Sequence, residues 1–122
     1  MNNYFFRPPI LRSAEVTLTP DAAGVVASST LQTNTLYTVD TGTYDLSAIT
    51  LTAADGMKYC GLDFETGTTA PSITCPATWI WVGAGCSGGD FTPSASKNYR
   101  VAIEQYGTTY VCTVQEIPEV AA

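Results

Sequence analysis

Histidine is missing from all 122 residues. That removes Ser-His and Cys-His nucleophile pairs, and histidine metal ligation, in one step. Positive charge is scarce as well: five Lys+Arg stand against eleven Asp+Glu, a formal net charge of −6. Such a chain repels phosphate backbones and anionic bilayers, so neither nucleic acid nor membrane insertion is expected. Charged residues make up 13% of the sequence, about half the usual share, while apolar residues reach 45%, which excludes a disordered polyelectrolyte. No apolar run approaches the roughly 20 residues that span a bilayer. The start, Met1-Asn2-Asn3-Tyr4-Phe5-Phe6-Arg7-Pro8-Pro9, lacks the basic segment and apolar run of a secretory signal, so folding in a cytoplasm is expected. No C-x-x-C pair occurs, which argues against a zinc knuckle or a thioredoxin-type motif, and no cofactor is expected.

The sequence is rich in threonine, with nineteen spread along the chain beside many Val, Ile and Tyr. Such side chains suit a pleated, half-buried surface and are mediocre in helices. Turn residues recur every eight to twelve positions, the rhythm of an all-β sandwich or barrel. The expectation is one antiparallel β-sandwich or jelly-roll-like domain over residues 13–122, of about seven to nine short strands. Glu15–Thr19, Leu36–Val39, Tyr44–Thr52, Met57–Glu65, Ser72–Cys75 and Trp79–Val82 read as strands. The apolar phase slips between Leu46 and Ile49, which suggests a bulge or sheet corner. Asp55-Gly56 reads as a tight hairpin turn. Tyr99, Val101 and Ile103, then Tyr110, Cys112 and Val114 across Gly107-Thr108-Thr109, make the cleanest hairpin. Ala22–Leu31 or Ser94–Ser96 has room for a single helical turn, Gly83–Asp90 reads as a glycine loop, and no repeat of 20–50 residues emerges.

Four cysteines give three possible connectivities. Cys60 and Cys112 alternate with apolar neighbours and read as core thiols. Cys75 and Cys86 bracket the aromatic stretch in Pro- and Gly-bearing loops. If any pair is oxidised, Cys75–Cys86 is the first choice and Cys60–Cys112 the second.

Without histidine, acid–base chemistry falls to paired carboxylates. Asp63 and Glu65 share an outward strand face, where acids are usually solvated rather than poised for glycoside chemistry. Asp40, Asp45, Asp55 and Asp90 sit in turns but lack the spacing of a calcium loop. Two segments carry contact chemistry instead. Residues 1–12 form an extended arm in which Tyr4, Phe5, Phe6, Arg7, Ile10 and Leu11 surround Pro8-Pro9; it either lies back on its own sheet or reaches a neighbouring copy. Trp79 and Trp81 share one strand face and are either core or a sugar-stacking platform, and Ile80 and Val82 then face outward or a partner. A short strand with two apolar faces suggests a subunit interface.

One stretch carries a resemblance. Leu62-Asp63-Phe64-Glu65-Thr66-Gly67-Thr68-Thr69-Ala70-Pro71-Ser72-Ile73, followed by Pro76, Trp81, Phe91-Thr92-Pro93 and Lys97-Asn98-Tyr99-Arg100-Val101-Ala102-Ile103, resembles a module of structural proteins of tailed bacteriophages. That module has an F-x-T-G-x-T-A-P-x-I block, an aromatic strand and an N-x-Y-x-I-x-I hairpin. The resemblance covers roughly Met57 to Ile117, and the glycine run around Cys86 departs from it. It implies an all-β, often oligomeric, non-enzymatic virion component in fibres, tails or head decoration. The expected partners are other copies, as a homo-oligomer such as a trimer, and other virion proteins. The expected location is the virion, after synthesis in a host cytoplasm. The alternative is a module binding carbohydrate or a host receptor, with Trp79 and Trp81 in contact with a surface glycan.

Overall fold

A computed structural model describes residues 14–118. All regular structure among them is β: β1 (Ala14–Leu18), β2 (Val25–Leu31), β3 (Thr35–Val39), β4 (Ala48–Ala53), β5 (Tyr59–Glu65), β6 (Ser72–Thr74), β7 (Ile80–Gly83), β8 (Cys86–Ser87), β9 (Asp90–Phe91), β10 (Asn98–Tyr106) and β11 (Thr109–Ile117). No helix among the described residues is long and apolar enough to cross a membrane.

The first six strands do not pair with their neighbours in sequence. Odd strands enter a six-stranded sheet of order β1-β3-β5-β10-β11-β7, and even strands a three-stranded sheet of order β2-β4-β6. Within each sheet these strands run parallel: Ala14 opposes Thr35 and Thr35 opposes Cys60, while Val26 opposes Ile49 and Ile49 opposes Ile73. The chain therefore winds as a short two-sheeted coil that advances 21–25 residues per turn. All-β and single-cored are borne out; uniform antiparallel pairing is not, because the turn residues make corners between sheets rather than hairpins. Asp55-Gly56 shows the difference. Gly56 takes φ +79° and the Met57 N–H bonds the Ala54 carbonyl at 3.1 Å, as turn chemistry demands, yet the turn carries β4 to the opposite sheet. The coil also gives the chain a structural period that residue identities hide. Equivalent inward positions are filled by Val16, Tyr37 and Leu62, or by Val26, Ile49 and Ile73, alike only in being apolar.

Beyond β5 the sheet turns antiparallel. β10 pairs with β5, and β11 returns across the two-residue turn Gly107-Thr108, whose glycine takes φ +64°. β7 closes this side, running parallel to β11. The glycine run folds into a two-residue hairpin: Ser87 opposes Asp90, and both Gly88 and Gly89 take positive φ, the geometry of a type I′ turn.

One core spans both sheets. Leu31, Leu51, Leu62, Val101, Ile103 and Cys112 are fully buried within it. Tyr37 crosses between the layers: the Gln32 N–H donates to its hydroxyl at 2.6 Å.

Candidate assembly surface

The Thr66-Gly67 block and the segment that leads into β10 pack directly against each other. β5 brings Phe64 inward, and Thr66, 3% exposed, follows at the corner. The Thr66 hydroxyl donates to the Ser94 carbonyl at 2.7 Å and receives the Lys97 N–H at 2.8 Å; its own N–H donates to the Lys97 carbonyl at 2.8 Å. Ser96 N–H then bonds the Gly67 carbonyl at 2.8 Å. Asn98 and Tyr99 continue in register with Glu65 and Phe64. The threonine-glycine block and the start of the hairpin are thus two halves of one clasp. The carboxylates beside it are engaged: Asp63 receives both arms of the Arg100 guanidinium, at 3.0 and 3.1 Å, and Glu65 receives the Thr41 hydroxyl at 3.4 Å. A shallow cleft of about 470 Å³ on this flank is lined by Asp45, Glu65, Glu116 and Lys97, with Lys97 ion-paired to Glu116 at 3.2 Å. Among the described residues, no three His, Cys, Asp or Glu side chains form a metal-binding group.

Trp79 and Trp81 are 6% and 4% exposed, so of the two readings the sequence offered they take the core one, and their rings are not displayed as a surface platform. Trp81 stacks on Phe91 at 5.4 Å, Phe91 meets Tyr99 at 5.2 Å and Phe64 at 6.4 Å, and Trp79 packs on Tyr110 at 5.3 Å. These rings fill the space that the short three-stranded sheet leaves under β10, β11 and β7. β7 sits at the edge, where the Trp81 N–H donates to the Gly89 carbonyl at 2.9 Å. A Cβ at Gly83 would collide with the Val114 carbonyl, and only glycine takes φ +109° there without strain.

All four cysteines are free thiols. Cys60 and Cys112 both oppose Ile103, one on each side, so two strand spacings of about 4.8 Å separate them. A disulfide needs Cα atoms within about 7 Å, so the Cys60–Cys112 pairing is excluded. Cys75 receives the Trp81 indole N–H at 3.4 Å, and Cys86 donates to the Ala84 carbonyl at 3.6 Å. Burial pushes the Cys60 thiol up to about 12 and raises Cys112, Cys75 and Cys86 as well. Raised thiols stay protonated near neutrality and make poor nucleophiles.

The outer face of the large sheet carries the apolar surface. Val82, Thr113, Ala102, Gly61 and Leu36 stand in one line across β7, β11, β10, β5 and β3. Beside them run Ile80, Val111, Glu104 and Tyr59. Ile80 is 39% exposed, Val82 43%, Tyr59 38% and Tyr106 69%. Ala102 and Gly61 leave the middle shallow, and the Leu36 side chain reaches over Gly61, where a Cβ would lie 3.1 Å from its Cδ1. No charge falls on the line from Val82 to Leu36, but it ends beside Glu15 on β1, the Arg100–Asp63 pair borders it on one side, and Glu104 stands in the row on the other. The outward turn of Ile80 and Val82 was legible in the sequence. Their continuation through Ala102 and Gly61 was not, because it depends on strand register. The arm residues Tyr4, Phe5, Phe6, Arg7, Ile10 and Leu11 lie outside the described residues.

Comparison with family models, with curated proteins and with solved structures finds no match.

Proposed function

We propose that this chain is a structural subunit of a bacteriophage particle, a capsid-decoration, head-fibre or tail-associated protein that works by associating with copies of itself and with other virion proteins. The resemblance of residues 57–117 to phage tail and head modules supports the phage assignment. The observation that carries the assembly reading is the uncharged line from Val82 to Leu36, with the exposed apolar residues Ile80 and Tyr59 in the next row on either side of Glu104. A sheet face of this kind gains free energy when a second surface covers it, at about 25 cal/mol per Å² of apolar area buried. A net charge of −6 over the whole chain keeps separate particles apart.

Light scattering on the purified chain should give a mass of two or more copies. An Ile80→Glu/Val82→Glu double variant places charge on the exposed face without touching the core, so it should scatter as a monomer with an unchanged circular dichroism spectrum. A monomeric parent chain, or a variant that assembles like the parent, contradicts the proposal.

A further inference from the structure

Among the described residues, the coil is finished on one side and open on the other. Beyond β5 the larger sheet gains β10, β11 and β7, and Trp81, Phe91, Phe64 and Tyr99 fill the interior. At the start of the coil, β1 and β2 are the outermost described strands of their sheets. Ala14, Val16 and Leu18 oppose the inward residues Thr35, Tyr37 and Val39 and so face the interior, yet Val16 is 38% exposed. β2 pairs along one side with β4, and no described strand lies along its other side. On that strand the Ser29 hydroxyl is buried with no hydrogen-bond partner. Terminal turns of a solenoid need a cap, because a bare parallel edge is both a leak in the core and a template for unwanted pairing.

We propose that this open end is a docking site for the chain's own first residues, with a segment within residues 2–9 adding to the small sheet as a strand parallel to β2. Two measures of the coil agree on that segment. Neighbouring strands of the small sheet are 22–24 residues apart in register, and one such step back from Val25–Leu31 lands between residues 1 and 9. Separately, β2 reaches β3 through three residues and β4 reaches β5 through five. A strand ending at residue 8 or 9 reaches Ala14 through four or five, the same span. The chemistry fits as well. One step back from the buried Val26 and Ser29 falls at residues 2–7, which include Tyr4, Phe5 and Phe6, the large rings needed to cover Val16. Pro8-Pro9 then falls at the strand's end on a new outer edge, where missing N–H donors do no harm and further pairing is discouraged. The arm becomes a cap within the molecule, which leaves the outer face of the large sheet as the assembly surface.

The test is residue-resolved amide exchange on the full chain, at a concentration where light scattering gives a single mass. The N–H groups of Val25–Leu31 that point away from β4 should exchange at least tenfold more slowly than exposed loop amides such as Gly88 and Gly89. A Phe5→Asp/Phe6→Asp variant should lose that protection while β10 and β11 keep theirs. Exposed-edge exchange in the parent chain, or protection indifferent to the double substitution, overturns the proposal. So does protection that appears only as concentration rises, which would put another copy's arm on β2. Scattering mass reads the assembly proposal and amide exchange reads this one, so each fails on its own measurement.

Discussion

On its β7 side the large sheet ends against protein: Gly89 meets the edge backbone, and Trp79 and Trp81 lie below it with Phe91 and Tyr110. On its β1 side Val16 faces the interior while 38% exposed, with Ala14 and the half-buried Leu18 on the same face. Every tryptophan and every cysteine lies after residue 56, whereas the coil from β1 to β4 is built mainly of Thr, Ser, Ala, Val, Leu and Ile around a single buried ring, Tyr37. The two halves therefore hold together differently. The early half depends on stacked ladders of modest side chains, each turn supported by the next. The later half depends on a few large rings in a space that no opposing strand fills, and its losses should be concentrated in single residues.

Paired truncations test that contrast most directly. Trp81→Ala removes a buried indole that stacks on Phe91, donates to Cys75 and opposes Cys112. It should cost about 3–5 kcal/mol, enough to lower the melting temperature by well over 10 °C. Val16→Ala, a half-exposed inward residue at the other end, should cost about 1 kcal/mol or less, since little of its surface is withdrawn from water by the described strands. Urea midpoints measure both. Equal losses would show that the coil end is as tightly packed as the aromatic end.

The same division decides what a reader of the sequence could see. The hairpin of β10 and β11 alternates cleanly across a Gly-Thr turn and is legible from Tyr99 to Val114. β2 is not: its ladder slips between Val26 and Ser29, so Val-Val-Ala-Ser-Ser-Thr-Leu alternates poorly and reads as a helical turn or loop. The parallel coil is hidden for a different reason. Alternation reports which face of a strand is buried but not which strand lies beside it, and corner turns use the same Asp and Gly residues as hairpins. Trp79 and Trp81 show the limit at the candidate surface. Sequence places them on one face, with Ile80 and Val82 on the other. Which face is covered depends on the β8–β9 hairpin, whose glycines look like any loop.

Alkali should loosen the later half, because that half holds every thiol. Cys60 is pushed up to about 12 by burial, while an exposed thiol of the unfolded chain ionises near 8.5. The folded pKa is the higher one, so this contribution is fully present below about pH 8.5 and is lost as pH rises toward 12. In that window the unfolded chain binds fewer protons than the folded one, and stability should fall by about 1.4 kcal/mol per pH unit for this thiol, or about 2 kcal/mol by pH 10. Cys112, raised by the same cause, adds to the slope. Unfolding midpoints at pH 8 and pH 10 read the effect, and Cys60→Ala should flatten it. If the substitution leaves the slope unchanged, Cys60 is not the group being titrated.

A smaller effect than the loss of a buried ring tests the clasp that joins the two halves. Thr66 sits at the corner where β5, the last coil strand of the large sheet, turns toward β6, and its hydroxyl reaches Ser94 and Lys97 just before β10 begins. Thr66→Val preserves shape and removes that hydroxyl, stranding the Lys97 N–H and the Ser94 carbonyl, for a cost of about 1–2 kcal/mol. Thr66→Ser retains the hydroxyl and should recover most of it. Amide exchange distinguishes a local fault from a general one: faster exchange should appear at residue 66, Ser96 and Lys97, whose N–H groups the clasp holds, while Leu51 on the central strand of the small sheet stays protected. If Leu51 loosens as much as Lys97, the coil and the hairpin share one cooperative unit, and the contrast between the two ends is one of composition rather than of stability.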